Sequence, residues 1–142
     1  MESSHEPKSI TTHLAVMTLV EPGWVEQRFH PGARLDLIGF KENRDARFSL
    51  TGGSPHVMLS VMPSNIDFDV QVTAVDHFAP ERGTESLMAL AVVAQDNVAE
   101  MVTKLYFSYF PPEFRFRIFA AEPEARAWLL DQRVVVVPSV AS

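Results

Sequence analysis

Eight consecutive apolar residues, Leu87 to Ala94, are followed by Asp96 and then by apolar positions three and four apart, Val98, Met101, Val102, Leu105 and Tyr109. A run of eight is too short for a membrane span and does not alternate, so it predicts a strand covered on both faces. The segment after it predicts a helix capped by Asp96, with the Val98 to Tyr109 stripe buried. Pro55 to Met62, bounded by Gly-Gly-Ser-Pro and Pro-Ser-Asn, predicts a second interior strand. Between them the pattern conflicts: Ile66, Phe68, Val70 and Val72 alternate as a strand would, whereas Val72, Val75, Phe78 and Ala79 keep helical spacing. Two parallel interior strands need a crossover, which favours a helix from about Asp69 and a loop from Pro80 to Glu85.

Upstream, Leu14 to Val20 and Trp24 to Phe29 are rich in β-formers, and the Glu21-Pro22-Gly23 between them suits the turn of a hairpin. His30-Pro31-Gly32 is a second turn. Beyond it the pattern predicts a short strand or turn around Leu35 and Leu37, then a helix near 40–51 that stops at Gly52-Gly53. Downstream, Pro111-Pro112 ends the long helix and Phe114 to Phe119 is a short strand. Glu122-Pro123-Glu124 opens a last helix with Pro and acids in its first turn. Trp128 is expected to pack that helix on the sheet, and Val134 to Val137 reads as a final edge strand before Pro138. The elements together predict an α/β fold, a single-domain βα superhelix over a mixed, largely parallel sheet with an N-terminal β-hairpin. Residues 13–138 form the domain, and residues 1–12 read as a frayed tail in which His5 and His13 need no function.

Length and charge narrow the partners. A chain of 142 residues suits one domain, and 46% apolar with 21% charged residues argues against global disorder. It has no cysteine, which removes disulfide and thiolate chemistry. The first residues carry acids where a signal peptide carries bases, and no span is long enough for a bilayer, so a cytoplasmic protein is expected. With 18 acids against 12 bases, nucleic acid is a poor partner. Asp67, Asp69, Asp76, Glu81, Glu85, Asp96 and Glu100 face Arg82 alone, which reads as a solvated face.

Candidate chemistry is sparse. His30, His56 and His77 have neither the spacing nor the carboxylate neighbours of a metal site, so no metal is expected. A Ser60/His56/Asp76 triad can be written down, but Ser60 lies inside a strand and no Gly-x-Ser-x-Gly elbow exists. Gly52-Gly53-Ser54 leads into a strand and presents no helix amides to a phosphate. With no Walker or dinucleotide motif, no cofactor and no enzymatic activity are expected. Tyr106, Phe107, Tyr109 and Phe110 crowd together, and at about 100° per residue Phe107 falls opposite the Val98 to Tyr109 stripe. Tyr106, Phe107 and Phe110 are therefore expected to form an outward patch for a symmetric dimer, another protein or an apolar ligand.

Leu90-Ala-Val-Val-Ala, Arg117-Ile-Phe, Glu122-Pro-Glu-Ala-Arg-Ala-Trp-Leu and Gly53-x-Pro55 resemble the STAS-like, SpoIIAA-like bacterial proteins of the STAS/SEC14 type over residues 50–131. The resemblance implies a βα superhelix over a mixed sheet. It also implies a non-enzymatic binding or regulatory module acting through protein–protein contacts, and homodimerisation is the partner state expected here. Anti-anti-sigma factors of that superfamily are phosphorylated on a Ser at the start of the helix after an interior strand. The corresponding place is Ser64 in Met62-Pro63-Ser64-Asn65, where the usual Asp-Ser-Ser/Thr-Gly-like signature is absent. The alternative expectation is a carrier or sensor of a lipid or other apolar small molecule, since related βα folds enclose such ligands and the Met and Phe residues here could line a pocket.

Overall fold

The computed structural model describes residues 7–81, 83–84 and 86–136. Strands β1 (Lys8–Thr11), β2 (Ala15–Glu21) and β3 (Trp24–Phe29) form an antiparallel meander, with β2 and β3 as the expected hairpin. From β3 onward the sheet is parallel, through β5 (His56–Val61), β7 (Leu87–Val93) and β8 (Arg115–Phe119), giving the order β1-β2-β3-β5-β7-β8. The two unalternated apolar runs are β5 and β7, and both occupy the interior. A small parallel pair, β4 (Arg34–Leu35) with β6 (Asp67–Phe68), lies apart from the main sheet.

Each face of the sheet has its own core. On one, Leu14, Met17, Val25, Phe29, Met58, Leu90 and Val92 are buried, with side chains of α1 (Leu37–Thr51) and α2 (Asn97–Tyr109) packed against them. On the other, Val57, Leu59, Ala89, Ala91 and Val93 meet Ala125 and Leu129 of α3 (Glu122–Val136). Neighbours along β5 and β7 thus go to opposite cores, as the strand period requires. Ala89 and Ala91 are small enough for α3 to lie close. Its first turn is pinned by an ionic cluster: Glu122 takes a bidentate pair from Arg28 at 2.7 and 3.0 Å, and Arg126 bridges Glu122 at 2.8 Å and Glu26 at 2.7 Å. The Arg28 guanidinium, with Arg126 beside it, holds the Glu122 carboxyl down at about 2. Burial alone would raise Glu26, but hydrogen bonds from Arg126 and the Trp24 indole outweigh it and its pKa is lowered.

Helix α1 is fixed at both ends. The Asp36 carboxylate accepts from Gly39 N at 2.7 Å, and Gly52, at φ 64°, donates its N–H to Phe48 O at 2.7 Å. Gly39 also lets the helix approach Leu14, because a Cβ there would come within 2.3 Å of Leu14 Cγ.

Four expectations are corrected. Residues 8–11, read as part of a frayed tail, pair as β1 with β2. The connection between β5 and β7 holds no α-helix: it contains β6 and two short 3₁₀ turns, Val70–Ala74 and Ala79–Glu81. Residues 134–136 continue α3 instead of forming an edge strand, and Arg133 ties that helix to Glu21 at the end of β2 at 2.7 Å; Val137 lies outside the described residues. Finally, α2 is turned the other way. Ala99 and Thr103 are buried, whereas Val98, Met101, Leu105 and Tyr109 are 51–69% exposed. The small residues let α2 sit close, and its Tyr106 and Phe107 reach inward.

Candidate functional site

The inward turn of α2 creates a partly open pocket over the middle of the sheet. Its floor is the α1/α2 side of β3, β5 and β7, including Gln27, Ser60 and Val92. One wall is a single stripe of α1, Phe40, Asn43, Arg44 and Arg47, at i, i+3, i+4 and i+7. The other is α2 through Val102, Thr103, Tyr106 and Phe107. The β5–β7 connection roofs the space with Phe68, Val72, His77 and Phe78, leaving a cavity of about 120 Å³.

His77 clasps that roof. Its ring lies between Phe40 of α1, 4.5 Å between centroids and 20° from parallel, and Tyr106 of α2, at 5.6 Å and 23°. Its backbone N–H donates to Tyr106 Oη at 2.8 Å, and that hydroxyl donates to Val75 O at 2.6 Å. His77 Nε2 stands 2.8 Å from Val72 O, and since a carbonyl only accepts, Nε2 carries the proton. Burial lowers the His77 pKa below 6.5, with Arg44 adding to the effect and the Val72 carbonyl and Asp76 opposing it, so the ring is neutral at pH 7.

Polar groups interrupt the apolar lining at chosen points. Gln27 and Ser60 face each other in the β3/β5 register, and Gln27 Nε2 donates to Ser60 Oγ at 2.8 Å. The two residues are 8% and 4% exposed. Among the described residues this is the only side-chain hydrogen bond of either, so Gln27 Oε1 and the Ser60 hydroxyl proton remain for an occupant. On the wall, Thr12 Oγ1 accepts from Leu14 N and Ala15 N, at 3.2 and 3.0 Å, and donates between Asn43 Oδ1 and Ala15 O, the latter at 3.1 Å. Asn43 is itself 2% exposed, and its Nδ2 is the one buried side-chain nitrogen or oxygen without a partner among the described residues. Arg44 reaches only His77 O, at 3.5 Å, and makes no ion pair among the described residues.

The residues singled out from sequence fall differently. Phe107, expected to face outward with Tyr106 and Phe110, points into the core side: it lies 4.2 Å from the ring of Phe116 and 6.0 Å from that of Phe78. Tyr106 is taken up by the clasp, and Phe110 lies against it with rings 5.2 Å apart and tilted by 37°. The outward aromatic patch is thus corrected to an inward one. His56 and Ser60 stand four residues apart on one strand, roughly 13 Å by the strand rise, so the triad is not assembled. His56 Nδ1 donates to Ser54 O at 2.8 Å, and its Nε2 accepts from Arg47 at 3.1 Å. Ser64 is exposed in a bend, with no helix following it to offer amides to a phosphate. Next to it, Asn65 N donates to the Asp96 carboxylate at 3.1 Å, a like charge for any phosphate placed there. Sequence reasoning missed Gln27, Asn43 and Arg44. Gln27 and Ser60 did carry a signal, as polar residues in strands otherwise suited to an interior.

Among the described residues no three His, Asp or Glu converge as a metal site, and no helix is long and apolar enough to cross a membrane. A solved structure, an uncharacterised protein from the DUF3478 family with a SpoIIAA-like fold from Shewanella loihica PV-4, is similar over 91% of this chain and 98% of that one. Its TM-score is 0.53 at 15% sequence identity, a likeness that shows the fold alone. No curated protein matches the chain. The fold is SpoIIAA-like, as the residues of the C-terminal half indicated. A family model matches residues 19–133, and the chain belongs to that family, the Domain of unknown function DUF7793.

Proposed function

We propose that this protein is a non-enzymatic binding module, a carrier or sensor, whose ligand is a small molecule with a mainly apolar body, held between α1 and α2. The observation that carries the reading is the cavity of about 120 Å³ over three interior strands, lined mainly by apolar side chains with polar groups at the Gln27–Ser60 pair, the α1 stripe and the His77–Tyr106 clasp. Apolar walls with a few placed polar groups are the make-up of small-molecule pockets. A floor built only for packing would carry branched aliphatics at positions 27 and 60, where a polar pair brings a desolvation cost. A cytoplasmic setting suits such a role. Native mass spectrometry of gently purified protein, with solvent extraction, and melting in the presence of toluene test it. A co-purified small molecule or a rise in Tm with toluene is expected, and Ser60→Leu, which fills the floor, should abolish the toluene response while remaining folded. Absence of both an adduct and a toluene response overturns the reading.

A second reading, self-association, is favoured by the exposed stripe of α2, Val98, Met101, Leu105 and Tyr109. Glu100 and Lys104 flank that stripe and pair at 3.0 Å. In an antiparallel two-fold arrangement Met101 would meet Leu105 of the copy, and Glu100 would face Lys104 of the copy, so the surface complements itself. Light scattering at ~100 μM, where a micromolar dimer is populated, should give a dimer and Met101→Glu a folded monomer. A wild-type monomer at that concentration sinks this reading.

A further inference from the structure

We infer that the ligand of this cavity is a small aromatic carboxylate, its ring inside and its carboxylate turned to the α1 wall. The inference rests on the reading of the cavity as a ligand site and concerns which chemistry that site selects.

Charge decides the head group. The chain has 18 acids and 12 bases, yet both charged residues that line the cavity, Arg44 and Arg47, are cations, and no Asp or Glu lines it. An ionised group entering this low-dielectric space is favoured only if it is an anion. The hydrogen-bonding capacity agrees. Asn43 Nδ2, the Ser60 hydroxyl and the Arg44 guanidinium are donors in want of acceptors, Arg44 having only a 3.5 Å contact with a carbonyl. A carboxylate is acceptor-only and matches the planar fork of a guanidinium. Asn43 and Arg44 both line the cavity from the α1 wall, so one head group can address both.

Size and lining decide the body. A cavity near 150 Å³ lined by apolar side chains takes up a benzene ring in other proteins, so about 120 Å³ suits one ring with its polar group at the wall. Phe40, Phe78, Tyr106 and Phe107 surround the space and offer edges and faces for such a ring.

Calorimetric titration of the full chain with phenylacetate, its neutral isostere phenylacetamide, and toluene tests the inference. Phenylacetate should bind at least ~10-fold more tightly than phenylacetamide, as expected for charge-assisted over neutral hydrogen bonds, and more weakly as salt is raised. Arg44→Gln should collapse that ratio to about one, and Arg44→Lys should keep part of it, with circular dichroism confirming both folds. Phenylacetamide binding as tightly as phenylacetate, or a ratio unmoved by Arg44→Gln, overturns the carboxylate assignment; if toluene still binds, the cavity reading stands. If none of the three probes binds, both fall.

Discussion

His77 holds the roof only while its imidazole is neutral and stacked between Phe40 and Tyr106. Its pKa is lowered from 6.5, so below pH 6.5 the unfolded chain binds more protons than the native one. The stability it contributes is complete above that pH and is lost as pH falls from 6.5 toward the lower native value. Melting temperature should therefore decline between pH 7 and 5.5, and His77→Phe should flatten that decline. Glu122 acts in a separate window: with its pKa lowered from 4.5 to about 2, its contribution is present above 4.5 and disappears between those values. At Gly39 two effects compete. Alanine would gain up to about 1 kcal/mol of helix propensity, but its Cβ would meet the fully buried Leu14 at 2.3 Å, and overpacking costs roughly 1–3 kcal/mol. Gly39→Ala should lower stability in urea by about 1 kcal/mol, against the propensity scale. The caps were legible at this scale, Asp96 and Gly52 among them. The unpartnered Asn43 was not, because its state depends on Thr12, 31 residues away.

Among the elements, α2 shows why a hydrophobic pattern can name a helix and miss its face. Both sides of it are apolar, and the bulkier, more regular stripe was taken for the buried one. The buried side is that of Ala99 and Thr103, whose small side chains let backbone and sheet come close, followed by Phe107, which meets Phe78, Phe114 and Phe116. Phe107→Asp should accordingly unfold or strongly destabilise the protein, by about 3–5 kcal/mol or more as for deletion of a buried aromatic, where an outward Phe107 would leave a folded monomer. Circular dichroism distinguishes the two. Helix α3 packs on the sheet as expected, but its anchor is Leu129, fully buried, with Trp128 partly exposed against Phe119 at 5.7 Å. Leu129→Ala should cost about 2–5 kcal/mol and Trp128→Ala less, a ranking that denaturant midpoints would read. The β5–β7 connection was ambiguous in sequence because its apolar residues obey neither period: they are spaced to cover a cavity.

For the molecule as a whole, the two apolar runs that became β5 and β7, with the helix after β7, made the parallel half of the sheet legible although the helix expected between them is absent, and the Pro-Gly turn marked the hairpin before it. The cavity was not legible, since it arises where α1, α2 and residues 66–78 meet, and no local pattern records a space between elements. One stretch of chain carries the path from β5 to β7 and also closes that space, fastened chiefly by one imidazole and one phenol. Such a segment opens at a lower free energy than the strands it joins, so it is where a protease should cut first. Cleavage of the empty protein should fall between residues 69 and 80, and occupation of the cavity should slow it. Limited digestion read by mass spectrometry would thus report whether the cavity is occupied, without the occupant being known.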